Sequence, residues 1–320
     1  MSDKKLVLAF FLIFFSILLG GVLGAFNIFG LLDERQGLNL IYLVSAIFLT
    51  YLTGITIFIL DFTNTTKTVT IFLMSSLFFA FTFFIINFNP ATAVAVSIIF
   101  FVFLNYSYRA SLARSKLFVQ FLPREIFVPV LRRGFMYLVI MIAMVGFFQA
   151  HKQVKQQNLV TPSIVKVLSK PTVYILNKQL GNQLQSQLGD ELGQMVEEKR
   201  EQMVLLVLAQ TLESMAENDT NTIYGFAPRE IPIHKTIVHP DGNIDLSPVI
   251  EEMSPVIAQR LNERLAGFNL IAPFVVALLA VIILQPISWL FNAIGAVLTL
   301  IVFRMLLSTK LMKIGKEKRE

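Results

Sequence analysis

The sequence predicts an all-α polytopic membrane protein of about seven transmembrane segments. A mainly helical aqueous domain containing a small β-hairpin is expected between the fifth and sixth. Three observations predict this. The 320 residues are 55% hydrophobic and only 15% charged, against roughly 25% charged in a soluble domain. Apolar runs of the length that crosses a bilayer, roughly 20 residues, recur along the chain. One long polar interruption, residues 151–268, separates them.

Residues 1–5 are a short basic leader, and 6–32 carry no charge. That run exceeds the roughly 7–15 apolar residues of a signal-peptide core, so a first transmembrane helix is expected, although Leu23, Gly24 and Ala25 would fit a cleavage site. Gly20 and Gly24 form a small-xxx-small pair that could admit a close neighbouring helix, or could simply face lipid. After the polar turn Asp33, Glu34, Arg35, residues 38–60 make a second span. Residues 68–108 are uncharged and are divided by Asn87, Asn89 and Pro90 into a tight hairpin of two spans. Residues 1–108 are therefore a four-span membrane part.

Residues 109–133 carry Arg109, Arg114, Lys116, Arg124, Arg132 and Arg133 against the single Glu125, interleaved with large apolar side chains. Such a stretch is too charged to cross and too apolar to leave the interface. Its six cations are expected on anionic lipid headgroups, each contributing on the order of 1 kcal/mol near the surface. Pro123 and Pro129 predict two or three short pieces there instead of one helix. Residues 134–150 form a fifth span, short unless Arg132 and Arg133 snorkel at its end.

The polar segment 151–268 holds 11 Lys and Arg against 14 Asp and Glu, net −3, while the rest of a chain whose total is +6 is +9. The basic excess thus belongs to the membrane part, which argues for headgroups and against nucleic acid as a partner. Thr161-Pro162, Ser247-Pro248 and Ser254-Pro255 each read as a helix N-cap followed by proline at the first helical position. Leucine recurs every fourth residue at 176, 180, 184, 188 and 192, a stripe that winds around a helix and favours an intramolecular helix pair over a coiled coil. The apolar run 203–209 is too short to span and predicts a helix buried in the domain or a partner surface. Residues 236–246, around Asp241-Gly242, predict the hairpin. Protein contact or self-association is expected through 172–217.

Residues 265–303 are a charge-free block of 39 residues. Gln285 and Pro286 near its middle suggest two crossings, a membrane hairpin over 269–308, before the basic tail 309–320. This creates a conflict. The positive-inside rule puts leader, basic loop and tail all in the cytoplasm, yet seven spans put leader and tail on opposite sides. Either the tail is outside, or the block is re-entrant and fails to cross. The basic loop before the fifth span is the strongest local determinant, so residues 151–268 are expected outside the cytoplasm.

The chemistry-bearing residues are few. With no cysteine there is no disulfide, thiol nucleophile or Cys-ligated metal. His234 and His239 lie near Glu230, Asp241 and Asp245, but five residues apart on a strand they point to opposite faces, so no metal site is expected. H-E-x-x-H, G-x-S-x-G, P-loop and G-x-G-x-x-G motifs are missing. Glu197 and Glu201 share a helix face, a spacing common on solvated helices. No Asp, Glu, Lys or Arg falls near the middle of a span, where ion-coupled transport needs one. Ser45, Thr50, Thr53 and Thr56 in the second span are the best candidates for a pore lining.

These features predict a non-enzymatic, multi-pass plasma-membrane protein without catalytic residues, cofactor or metal. It would present an extracytoplasmic helical domain for protein interaction or cell-envelope organisation. The alternative is a small oligomeric channel or transporter with the polar domain as cap or gate.

Overall fold

Three helix boundaries in this chain are fixed by a side chain that replaces a lost backbone partner, at Asn27, Asn89 and Thr161. The structure, a computed structural model, describes residues 3–32, 36–59, 65–115, 123–156, 159–188, 199, 202–210, 230–239 and 244–308. The chain divides into two compact units, one of residues 1–31, 35–156 and 268–320, the other of residues 32–34 and 157–267.

In the first unit, α1 is Asp3–Ala25. It stops where Asn27 folds an Asx turn, its Oδ1 accepting from Phe29 N–H at 3.1 Å, and a 3-10 turn Phe29–Leu32 follows. α2 is Gln36–Ile59 and α3 is Thr65–Asn87. The expected two-residue turn joins α3 to α4, Pro90–Ser115: Asn89 Oδ1 caps Thr92 N–H at 3.2 Å, with Pro90 at the first helical position. Phe88 sits in that turn at φ 55°, a left-handed conformation that glycine adopts freely and other L-residues at about 1–2 kcal/mol. Phe88→Gly is therefore expected to raise the thermal midpoint of the purified protein. A lowered midpoint would mean that the exposed Phe88 ring contributes more than its backbone strain removes.

α5 is Pro123–Lys155. Of the basic stretch 109–133, residues 109–115 are the last turns of α4 and 123–133 the first turns of α5, while 116–122 lie outside the described residues; the break expected at Pro129 is corrected, since the helix runs through it. Pro123 stands at the start, where no backbone donor is needed, and Pro129 removes only the bond to residue 125, near the helix end. α5 also continues through the first residues of the polar segment as far as Lys155.

Five of these helices, over Leu6–Ala25, Gln36–Ile57, Lys67–Asn87, Pro90–Ala110 and Arg132–Lys155, are long and apolar enough to cross a membrane. α1 packs on α2 and α3, α4 on α3 and α5, and α2 on α4 and α5. Their common core is aromatic: Phe72, Phe79, Phe83 and Phe100 are fully buried and Phe103 nearly so. The Phe79 and Phe100 rings stack 4.5 Å apart, worth about 0.5–1.5 kcal/mol beyond area burial. Apolar side chains of the same helices also point outward, among them Phe10, Leu77, Phe81 and Ile98. Helices apolar on both faces are the pattern of a lipid-surrounded bundle.

The last helix of this unit, Ala272–Ser308, is a single 37-residue helix with Pro286 inside it. The hairpin expected over 269–308 is corrected accordingly. A helix in apolar surroundings continues past a proline because breaking it would free many more backbone groups, while neighbouring groups and small local adjustments re-satisfy the single freed carbonyl. It packs chiefly on α5, with Phe274 edge-on to Phe147 at 5.0 Å and Ala280 and Leu284 in the aromatic core.

In the second unit, α6 is Pro162–Leu188, capped by Thr161 Oγ1, which accepts from Ile164 N–H at 3.3 Å. Residues 202–210 are helical and are labelled α7. After a 3-10 turn Ile233–Lys235, strands β1 (Ile237–Val238) and β2 (Ile244–Asp245) pair antiparallel, Val238 opposite Ile244. Val204 and Leu208 of α7 bury against Val238 and Ile244, so the apolar run 203–209 closes the domain interior. α8 is Ser247–Leu265 and runs through Pro255. The second helix start expected at Ser254 is thus corrected: the Ser254 hydroxyl donates back to Glu251 O at 2.9 Å instead of capping. With the earlier labels, Ala272–Ser308 is α9.

α6 and α8 pack together. Asn262 clamps the approach to α6, accepting from Val160 N–H and donating to Val160 O, both at 2.9 Å. Lys166 pairs with Glu251 at 2.5 Å and Arg260 with Glu230 at 2.9 Å, exposed pairs that water screens and that add little to stability. Asp245 Oδ1 accepts from the Ser247 hydroxyl at 2.6 Å and from its N–H at 2.9 Å, and these bonds hold the Asp245 carboxyl below the usual aspartate range. Lys166 likewise lowers Glu251. A lowered carboxylate pKa contributes stability above the ordinary value that is lost as pH falls through the lowered one. The melting temperature should therefore fall on acidification from about pH 6 to about pH 3, and fall less in Asp245→Asn, as circular dichroism would read.

Candidate functional site

Of the six cations expected on headgroups, five belong to the end of the bundle formed by the C-terminus of α4 and the N-terminus of α5. Arg109, Arg132 and Arg133 are exposed there. Arg133 donates to the Tyr106 hydroxyl and lies over the Tyr106 ring at 5.2 Å, so one guanidinium is held by an aromatic at the interface. Arg114 and Arg124 belong to α4 and α5, and Lys116 lies outside the described residues.

The threonines of the candidate pore lining are packed inside the bundle of this chain. Thr50, Thr53 and Thr56 are buried, and their hydroxyls donate to Ala46 O, Leu49 O and Leu52 O at 2.8, 2.8 and 2.7 Å. Each proton is thus taken by the helix's own carbonyls, leaving none for a passing solute. Thr53→Val, which keeps the shape, is expected to change the melting temperature little.

In the second unit His234 and His239 are both exposed, and among the described residues no group of His, Asp or Glu could hold a metal ion. Glu197, Glu201 and Asp241 lie outside the described residues.

The structure reveals a polar site that the sequence did not announce. At the end of the bundle opposite the arginines, the exit of α1, the α3–α4 turn and the last turns of α5 enclose a cavity of about 480 Å³. Its fixed part is an amide network. Gln149 Nε2 donates to Phe26 O at 2.7 Å, and Gln149 Oε1 accepts from Ile28 N–H at 3.0 Å. The side chain thus pairs with the α1 exit as a neighbouring strand would, and the backbone groups freed at the helix end are satisfied. Asn39 Oδ1 accepts from Asn27 N–H at 3.0 Å, and Asn87 Nδ2 donates to Gly24 O at 3.3 Å.

The remaining wall is less satisfied. Thr92 is 1% exposed, yet its hydroxyl has no hydrogen-bond partner, and neither has Gln153 Oε1. Lys152 lines the cavity, and among the described residues no carboxylate does. Sequence reading missed the site because its members are scattered Asn, Gln and Thr with no motif spacing. The one available signal was the spacing of glutamines at 149, 153 and 156, at the polar end of an apolar run. The chain matches no protein-family model, no curated protein and no solved structure, so its functional reading rests on these residues alone.

Proposed function

We propose that this protein is a non-enzymatic, six-pass plasma-membrane protein that displays its second unit outside the cytoplasm to bind or organise other proteins of the cell envelope. The observation that supports the crossing number is the continuity of α9. At about 1.5 Å per residue its 37 residues reach roughly 55 Å, more than one hydrocarbon core. α9 is antiparallel to α5, meeting it at Phe147 first and entering the core at Ala280 and Leu284 afterwards. Six crossings return the basic tail to the side of the leader and the arginines, which removes the conflict that seven crossings create with the positive-inside rule.

The chain contains no cysteine, so single cysteines report sidedness directly. With a membrane-impermeant maleimide, Lys170→Cys is expected to label in intact cells and Ser308→Cys only after permeabilisation. Labelling of both would require another crossing, and labelling of neither would invert the orientation.

The display reading is supported by α6, which exposes Leu168, Tyr174 and Ile175 at 63%, 69% and 54%, more apolar surface than one helix of a polar domain needs. A photo-crosslinker at Ile175 is expected to give discrete protein adducts in intact cells, and a crosslinker at Lys166, paired within the unit, none. The competing channel reading is tested by ion flux into liposomes holding the pure protein. No flux above empty liposomes is expected, and robust flux abolished by Thr53→Ala would overturn the display reading.

A further inference from the structure

We propose that the cavity between the α1 exit, the α3–α4 turn and α5 binds a phosphate-bearing headgroup whose other end carries N–H or O–H donors, as phosphoethanolamine and phosphoglycerol do. The phosphate half follows from the positive wall. Thr92 lies in the first turn of the 26-residue α4, where the helix N-terminus carries partial positive charge. Its hydroxyl is buried without a partner, and helical threonine has two accessible χ1 rotamers with which to meet an incoming oxygen. Lys152 adds a full positive charge, with no carboxylate among the described lining residues to compete.

The donor half follows from the helix C-termini at the cavity and an amide acceptor beside them. α1, α3 and α5 all end at the cavity, at Ala25, Asn87 and Lys155, so three helix C-termini turn partial negative charge toward it. Gln153 Oε1 is an acceptor with no donor. An ammonium or hydroxyl suits those groups, whereas a second anion does not. The volume, about 480 Å³, lies within the range of small-molecule sites. Phe148 and Ile86 line it beside the amides, and the site lies at the mouth of the apolar helices, where lipid headgroups are the most concentrated source of this chemistry. Soluble phosphoethanolamine shares that chemistry.

The test uses the full chain purified in detergent and exposed in turn to phosphatidylethanolamine, phosphatidylglycerol, phosphatidylcholine and soluble phosphoethanolamine, with bound molecules counted by native mass spectrometry. Retention of the ethanolamine or glycerol lipid is expected to fall about tenfold or more in Thr92→Val and in Lys152→Gln, to return in Thr92→Ser, and to be unchanged in Arg109→Gln at the far end of the bundle. Soluble phosphoethanolamine bound with the same dependence on Thr92 and Lys152, with lipid unaffected, would uphold the chemistry and assign a soluble source. Phosphatidylcholine, whose quaternary nitrogen has no N–H, is expected to be retained poorly. Equal retention of choline and ethanolamine lipids would overturn the donor half. Lys152 is exposed and its replacement leaves the core intact, so retention unchanged in Lys152→Gln would overturn the phosphate half even if the Thr92 variants failed to fold.

Discussion

Gly20→Ala is expected to lower the melting temperature of the purified protein by several degrees, and Gly20→Val to prevent its accumulation as a folded species, whereas Gly21→Ala should change little. The two glycines are neighbours in α1 with opposite surroundings. A Cβ on Gly20 would lie 2.5 Å from Phe79 O and 3.2 Å from Phe79 Cα, both backbone atoms of α3, while a Cβ on Gly21 would meet only side-chain methyls at 3.6 Å. Side chains can turn aside, but a helix backbone yields only by moving the whole helix. Ala is worth about 1 kcal/mol more than Gly in a helix interior, and that gain applies at both sites. At Gly20 it is outweighed by overpacking of about 1–3 kcal/mol or more. Gly24, whose Cβ would lie 3.0 Å from Phe83 O, should behave as Gly20 does, less severely. The small-xxx-small pair in the sequence is thus spent inside the bundle, against α3, which settles whether it faces lipid. Equal melting temperatures for the 20 and 21 variants, read by size-exclusion thermostability, would refute this packing.

The second large effect is expected at Gln149. Gln149→Leu keeps the size of the side chain but leaves Phe26 O and Ile28 N–H without their partners. Each unsatisfied buried group costs about 1–3 kcal/mol; both bonds are part-buried, so a loss toward the lower end of about 2–6 kcal/mol is expected. Gln149→Glu separates the two bonds, because a carboxylate can still accept from Ile28 N–H but can no longer donate to Phe26 O. It should also lose stability at neutral pH and recover part of it in acid, where protonation of the introduced carboxyl restores an O–H donor. A Gln149→Leu protein as stable as wild type would show that water replaces the amide at both groups.

The membrane helices were legible because an uncharged run of roughly 20 residues is a one-dimensional signal, and Asn89-Pro90 marked the α3–α4 turn for a local reason, a cap followed by a residue with no donor. The errors share a cause. Pro129, Pro255 and Pro286 were read as breaks, and each lies inside a continuous helix, since one missing hydrogen bond is a small loss beside the packing of a whole helix face. The cationic stretch 109–133 was read by charge as a separate interfacial segment, although arginines suit the ends of α4 and α5 equally well. The cavity is invisible in the sequence because its bonds run from side chain to backbone between distant segments, two of them across more than 120 residues, and no periodicity records a contact of that kind.

That separation also sets an order of events during synthesis. The exit of α1 leaves the ribosome long before the glutamine that holds it, 121 residues later. At about 5–20 residues per second, roughly 6–25 s pass in which α1 must stay inserted without its fastening. The first helix therefore relies on its own apolar length until α2 and α3 pack against it, and the bundle end is locked only when α5 arrives.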